Sequence, residues 1–269
     1  MQFIKINNVN LHYQIIGGGE DKPTICFVNS LGTDFRIWRD VIIGLAGEAN
    51  IITYDKRGHG LSDIGEHPYK MEDHVNDLSG LLDHLNVKDA IICGVSVGGL
   101  IAQGLSHHRP DLVKALILCD TGHKIGNVDM WNERIEKVQA DGIGSISEGI
   151  LEKWFSPAFR ENDNPAFAVY RNMLVRTPVE GYAGTGIAIR DTDYTEIARH
   201  ITVPTLCMVG EYDGSTPPAL NEELAGLIAD SRFEIIKDAG HLPSIEQPST
   251  VLGHIRSFIQ ELENQKQDA

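Results

Sequence analysis

Positive charge is what this chain is shortest of. Its 269 residues carry 23 Lys and Arg against 38 Asp and Glu, a formal net charge of −15. Nucleic-acid binders and proteins held to anionic lipid need a basic face, so neither partner is expected. Cysteine is scarce as well. Cys26, Cys93, Cys119 and Cys207 each stand in an apolar, strand-like segment, and no two form a Cys-x-x-Cys pair. That pattern argues against a disulfide frame or a zinc site and predicts buried free thiols in a reducing cytoplasm. No apolar run is long enough to span a bilayer. The opening Met1-Gln2-Phe3-Ile4-Lys5-Ile6-Asn7 has no long apolar stretch after its charge, so no signal peptide is expected. Internal repeats and low-complexity segments are missing too. What remains, 42% hydrophobic and 23% charged, is the composition of an ordinary globular chain with enough length for a sizeable core.

Short apolar runs alternate with helical periodicity along most of the chain. Ile4 to Ile16 reads as two strands with a turn near Asn7-Asn8. Thr24-Val28, Asn50-Tyr54, Ala90-Cys93, Ala115-Cys119, Thr205-Val209 and Phe233-Ile236 read as further strands. Between them, Trp38 to Leu45 and Asp73 to Leu85 are helical; the second has Val75, Leu78, Leu81, Leu82 and Leu85 on one face. Such alternation predicts an α/β fold with a mostly parallel sheet covered by helices on both faces. One interval breaks the rhythm. From Asp120 to about Asp191 there are helical patterns and aromatic residues but no convincing strand. The expected organisation is therefore a core of residues 1–120 and 192–269, with a helical cap at 121–191 over the strand ends. The polar tail after Leu262 is expected to fray.

Chemistry enters at Cys93-Gly94-Val95-Ser96-Val97-Gly98-Gly99. This is Gly-x-Ser-x-Gly between a buried strand and a helix, the setting of a nucleophile elbow. A sharp strand-to-helix turn strains the serine backbone and needs small residues on either side, lifting the hydroxyl clear of the sheet. The alternative is a glycine-rich turn whose serine merely caps a helix. A serine hydroxyl needs a base, and the base needs an orienting acid. Downstream, Asp213 follows the strand Thr205-Val209 and His241 follows Phe233-Ile236, so Ser96, Asp213 and His241 occur in the order Ser, acid, His on one sheet edge. Asp120, at the end of Ala115-Cys119, rivals Asp213 as the acid, and Glu211 is a further rival. Backbone N–H groups of Leu31 and Val97 occupy the positions of an oxyanion hole. The turn Asp55-Lys56-Arg57-Gly58-His59-Gly60 reads as structural. The remaining histidines, His107-His108 among them, read as solvated or helix-end residues.

These residues resemble the α/β-hydrolase superfamily and, within it, the 3-oxoadipate enol-lactonase family. The likeness runs through Asn29-Ser30-Leu31-Gly32-Thr33, Arg57-Gly58-His59-Gly60, the elbow and Asp238-Ala239-Gly240-His241-Leu242. It extends into the cap through Lys124-Ile125-Gly126, Trp131-Asn132-Glu133-Arg134-Ile135, Trp154-Phe155-Ser156-Pro157-Ala158-Phe159 and Gly181-Tyr182-Ala183. The elbow and the Asp and His loops are common to the superfamily; the cap motifs point to the lactonases. Asp120 departs from the neutral residue usual there, and Val95 and Val97 replace bulkier Leu and Met. The resemblance implies an acyl-enzyme route from an enol-lactone to 3-oxoadipate in aromatic-compound catabolism, with no metal and no organic cofactor. A general carboxylesterase, a carbon–carbon hydrolase and a small-molecule receptor on the same fold are the alternatives. A haloalkane dehalogenase would want Asp at position 96.

The implied substrate carries a carboxylate, which the overall charge repels. Screening confines that repulsion to roughly 8 Å at physiological salt, so one nearby cation can reverse it. Trp131 and Arg134 lie three positions apart, on one face of a helix. Trp131 is expected to line the pocket and Arg134 to hold the carboxylate, with Arg190 and Arg171 as reserves. Against this stands pairing of Arg134 with Glu133 or Glu136 beside it.

Overall fold

A computed structural model describes residues 2–161 and 164–267. Strands β1 (Gln2–Ile6) and β2 (Val9–Ile16) form a hairpin whose turn residues Asn7 and Asn8 sit at φ 48° and 64°, a region Asn tolerates. Then follow β3 (Thr24–Val28), α1 (Arg39–Leu45), β4 (Asn50–Tyr54), α2 (Met71–His84), β5 (Ala90–Val95), α3 (Val97–His108) and β6 (Val113–Cys119). Next come α4 (Val128–Asp141), α5 (Ser147–Trp154), α6 (Pro165–Val175), α7 (Val179–Arg190) and α8 (Thr195–Arg199), with no strand among them. The chain closes with β7 (Thr205–Gly210), α9 (Pro218–Leu227), β8 (Ser231–Ile236), α10 (Pro243–Glu246) and α11 (Pro248–Gln267). Of the tail expected to fray after Leu262, the residues up to Gln267 continue α11, in a stretch rich in the good helix formers Glu, Gln and Lys, and positions 268–269 lie outside the described residues. No helix among the described residues is long and apolar enough to cross a membrane.

The eight strands make one sheet in the order β1-β2-β4-β3-β5-β6-β7-β8. Pairing is antiparallel only at β1/β2 and β2/β4; from β4 through β8 it is parallel. All six residues of β5 are buried. Successive strand residues point to opposite faces, so both faces of the sheet are covered there. α3, buried through its first nine residues, packs on β5 and β6 beside α2, while α1 packs on α11. The predicted mixed α/β sheet is thus the one observed.

Strand order places the chemistry. After β3 the chain crosses to β4 on one side, then returns to β5 on the other, so a crevice opens between the carboxyl ends of β3 and β5. Register pairs Val28 with Gly94 and Val95 with Cys119, which sets the loops after β3, β5 and β6 side by side. Helices α4 to α7 meet this same edge. Gly32 lies against Leu174, Tyr182 and Trp154, Gly58 against the backbone of Gly181, and Gly240 against the backbone of Trp154. Phe155 stacks on Phe159 at 4.6 Å and meets Phe167 edge-on at 6.0 Å, which gives the inserted helices a small aromatic core of their own.

Two glycines in the β5–α3 turn have no room for a side chain. A Cβ on Gly94 would stand 2.2 Å from the carbonyl oxygen of Gly98, and one on Gly98 would stand 2.3 Å from that of Val28. Gly98→Ala must therefore push α3 away from β3, and it should lower unfolding free energy by about 1–3 kcal/mol in urea denaturation. Gly149→Ala, at an exposed α5 position with nothing within 4 Å, should instead stabilise by about 0.5–1 kcal/mol.

Candidate active site

Ser96 sits between β5 and α3 at φ 58° and ψ −120°, a conformation costly for any residue with a Cβ. Surrounding bonds over-determine it. Its N–H donates to the Cys119 carbonyl at 3.0 Å, and its own carbonyl accepts from Thr121 Oγ1 at 2.7 Å and Gly99 N–H at 2.9 Å. Neither Val97 N–H nor Leu31 N–H donates to a protein acceptor among the described residues. Leu31 and Ser96 line one small cavity of about 60 Å³, and Val97 opens the helix whose positive end faces it. Two free donors therefore flank the serine where negative charge would develop on an attacked carbonyl.

His241 reaches the same cavity from the loop after β8. Its Nδ1 lies 2.8 Å from Asp213 Oδ2, and the two side chains are 2% and 0% exposed. A proton on Nδ1 leaves Nε2 free to accept one from a hydroxyl. Asp213 is held by its own loop: Oδ1 accepts from Ser215 N–H at 2.7 Å and Thr216 N–H at 2.9 Å, and Oδ2 from Thr216 Oγ1 at 2.8 Å. Asp120 is close by but does not take the imidazole proton. Its Oδ1 accepts from Gly210 N–H at 2.8 Å, while one of its oxygens lies within 4.8 Å of the facing atoms of both Asp213 and His241. Glu211 faces away, accepting from Asp238 N–H at 3.3 Å. Two carboxylates and an imidazole are also metal-ligating types. Here Asp213 and the facing His241 Nδ1 are paired with each other, and Asp213 accepts from three further protein donors.

Two buried groups and one half-buried one were not singled out from the sequence as part of the site. Lys56 is fully buried and its Nζ donates to the Ser30 carbonyl at 2.5 Å. Gly32 N–H donates to His59 Nε2 at 3.0 Å, so that nitrogen carries no proton; Nδ1–H then donates to the Arg57 carbonyl at 3.1 Å. Together they clamp the peptides on either side of Leu31. Burial pushes both pKa values well below their ordinary ranges, and the charge of Lys56 adds to the effect on His59. Glu246 ties the His241 loop to the inserted helices, accepting from Gly240 N–H at 2.6 Å and Ser156 Oγ at 2.6 Å. Histidines were misjudged more widely: His12 and His74 are buried, not solvated, His12 being paired with Asp55 at 2.8 Å. His67, His84, His107, His108 and His200 are exposed as expected, with His84 in the last turn of α2 and His107 and His108 in that of α3.

The far wall belongs to the inserted helices. Trp131 and Arg134, one face of α4, line the cavity with Ile125, Met130, Lys153, Trp154 and Ile189. Trp131 Nε1 donates to the Ile125 carbonyl at 2.8 Å. The Arg134 guanidinium stands 5.0 Å from the Trp131 ring and 5.5 Å from that of Tyr182, and donates to the Tyr182 hydroxyl. No carboxylate pairs with it among the described residues, and its Nε is buried without an acceptor. Glu133 and Glu136 are exposed. Arg190 is committed to Asp191 and Asn132, and Arg171 is exposed and outside the cavity lining. Lys153 is a second cation at the cavity that sequence gave no reason to choose, since nothing local distinguishes it from surface lysines.

Known proteins are similar to this chain in sequence and fold. Residues 23–248 match the profile of the alpha/beta hydrolase fold family. A 3-oxoadipate enol-lactonase of Acinetobacter baylyi is 34% identical over 249 residues, 92% of each chain. Among solved structures, the enol-lactonase from Burkholderia xenovorans superposes with a TM-score of 0.92 at 33% identity, covering 96% of this chain and 100% of that one. A thermophilic esterase from Thermogutta terrifontis, solved with malate bound, gives 0.91 at 29% identity over 97% of this chain and 99% of its own.

The neutral His59 makes stability depend on pH. Its pKa in the native protein lies well below the ordinary value of about 6.5, which the unfolded chain retains. As pH falls through that value the unfolded state takes up a proton that the native state refuses, so stability drops on acidification and is fully present above it. His59→Gln, whose amide oxygen can still accept from Gly32 N–H, should show a smaller loss between about pH 7.5 and pH 5 than wild type, read from urea midpoints.

Proposed function

We propose, from the premise that this chain belongs to the alpha/beta hydrolase fold family and hydrolyses ester or lactone bonds, that its substrate is 3-oxoadipate enol-lactone and its product 3-oxoadipate. The observation that carries this reading is Arg134: a partly buried cation over the Trp131 ring, without an acid partner, on the wall opposite Ser96. An unpaired guanidinium facing a reactive serine is a site for an anion that the substrate itself brings. The two 3-oxoadipate enol-lactonases of Acinetobacter are relatives whose named substrate has that carboxylate. Residues 121–191 serve as a cap that closes this wall over residues 1–120 and 192–269. Four free, buried cysteines suit a cytoplasmic enzyme of aromatic-compound catabolism, the β-ketoadipate pathway.

His241 Nε2 takes the proton from Ser96 Oγ as that oxygen attacks the ring carbonyl, and Asp213 stabilises the imidazolium. The carbonyl oxygen gains negative charge between Leu31 N–H and Val97 N–H, at the positive end of α3. Collapse breaks the ring C–O bond and expels an enolate, a better leaving group than an alkoxide. The proton held by His241 quenches it, and the product end becomes a ketone. The chain is now esterified at Ser96. His241 next deprotonates a water that attacks this ester, and the second collapse returns the proton to Ser96 and frees 3-oxoadipate. Every step uses the chain's own groups and one water from solvent.

A neutral carboxylesterase is the second reading, favoured by the likeness to the Thermogutta esterase. Ser96→Ala and His241→Ala should each cut turnover by about 10⁴–10⁶-fold on any ester or lactone. Wild-type turnover by Ser96→Ala would rule out the covalent route. Arg134→Ala should lower kcat/KM for the acidic lactone by about 2–4 kcal/mol while leaving a neutral aryl ester nearly unchanged. Equal losses on the two substrates would assign Arg134 to cap packing and favour the esterase.

A further inference from the structure

Asp120 is a buried carboxyl that the mechanism above does not use. It is 0% exposed at the end of β6, with φ 46°, and its backbone N–H donates to the Met208 carbonyl at 2.8 Å. Oδ1 accepts from Gly210 N–H. Oδ2 is equally buried, and no N–H or hydroxyl reaches it. The titratable groups that face this carboxyl are Asp213 from the loop after β7, His241 from the loop after β8 and Cys119 from its own strand. No lysine or arginine is among them. Two carboxylates this close in a dry site cannot both be ionised. Asp213 has the better claim to the charge, because Ser215, Thr216 and His241 all point hydrogens at it.

We propose that Asp120 is a positioning residue kept as an un-ionised carboxylic acid, its Oδ2 hydroxyl donating to the Asp213 carboxylate and so setting the basicity of His241. The idea rests on the Ser96–His241–Asp213 reading. Protonation turns the orphaned Oδ2 from an unsatisfied acceptor into a donor aimed at an acceptor, and it removes the like-charge repulsion in one step. Burial first, and the Asp213 charge second, hold the Asp120 carboxyl well above the usual carboxylate range. A donor on Asp213 disperses its charge, which weakens its pull on the imidazolium and keeps His241 in its basic form to lower pH. Asparagine at 120 presents the same two contacts: an amide oxygen for Gly210 N–H and an amide N–H for Asp213.

The test compares wild type, Asp120→Asn and Asp120→Ala on a neutral aryl ester, so that it does not depend on the lactone assignment. Asp120→Asn should keep kcat/KM within about threefold, with the acid limb of its pH profile in place. Asp120→Ala should move that limb to higher pH by about one unit, since Asp213 has lost a donor. A limb that moves to lower pH in Asp120→Asn would mean a negative charge had been removed, and would overturn the proposal. Infrared difference spectra at neutral pH supply a readout independent of catalysis and of whether Asp120→Ala folds. The wild-type minus Asp120→Asn spectrum should contain the carbonyl stretch of an un-ionised carboxylic acid; a carboxylate band in its place would also overturn the proposal. Full activity in Ser96→Ala would instead sink the triad reading while leaving the infrared result on Asp120 intact.

Discussion

The molecule depends on one backbone contact: the turn from β5 into α3, where no Cβ fits between Gly94, Gly98 and the carbonyl of Val28. That contact draws α3 onto β3 and β5 closely enough to set Ser96 beside the loop that follows β3. The serine backbone then has to accept φ 58°, and the bonds to Cys119, Thr121 and Gly99 keep it there. The crevice in the strand order, the free N–H groups of Leu31 and Val97 and the positive end of α3 all converge because this turn is tight.

Around it, titratable groups are buried in numbers that would be costly in a passive core. Several have a partner on a neighbouring element. Lys56 and His59 clamp the oxyanion loop, Glu246 clamps the His241 loop to the inserted helices, and Arg57 pairs with Asp77 at 2.6 Å just behind. Hydrogen bonds to charged groups inside a low-dielectric region are strong and directional, so a network of this kind fixes loops that apolar packing would leave loose. The same low dielectric makes each missing partner expensive. That is why Arg134 Nε and Asp120 Oδ2, two of the buried atoms without a partner among the described residues, are informative.

Charge works on two length scales. A net charge of −15 repels an acidic ligand at long range, but that field is screened within about a Debye length. The cavity lining also carries two cations, Arg134 and Lys153. A cation at this distance acts on a bound anion directly, whereas the acidic surface farther off is screened.

Local pattern was enough to determine the strands, the glycine-flanked elbow at Ser96 and the order Ser, Asp, His along one sheet edge, because each follows from residues close together in the chain. The mixed α/β sheet was legible for the same reason, since period and strand length are local properties. Partnership was not local. Asp120 and Asp213 are equivalent on paper, each an acid at a strand end; only the fold brings the Asp213 oxygen to 2.8 Å from His241 Nδ1 and leaves Asp120 behind it. Arg134 has glutamates beside it in sequence, yet the helix turns them to solvent and turns the guanidinium toward Trp131 and Tyr182. Lys56 and His59 looked like turn residues because their partners, Ser30 and Gly32, lie on another loop, 26 and 27 positions away. A side chain's chemistry is written in the sequence, but the partner that sets its charge and orientation comes from another strand, and only tertiary packing chooses it.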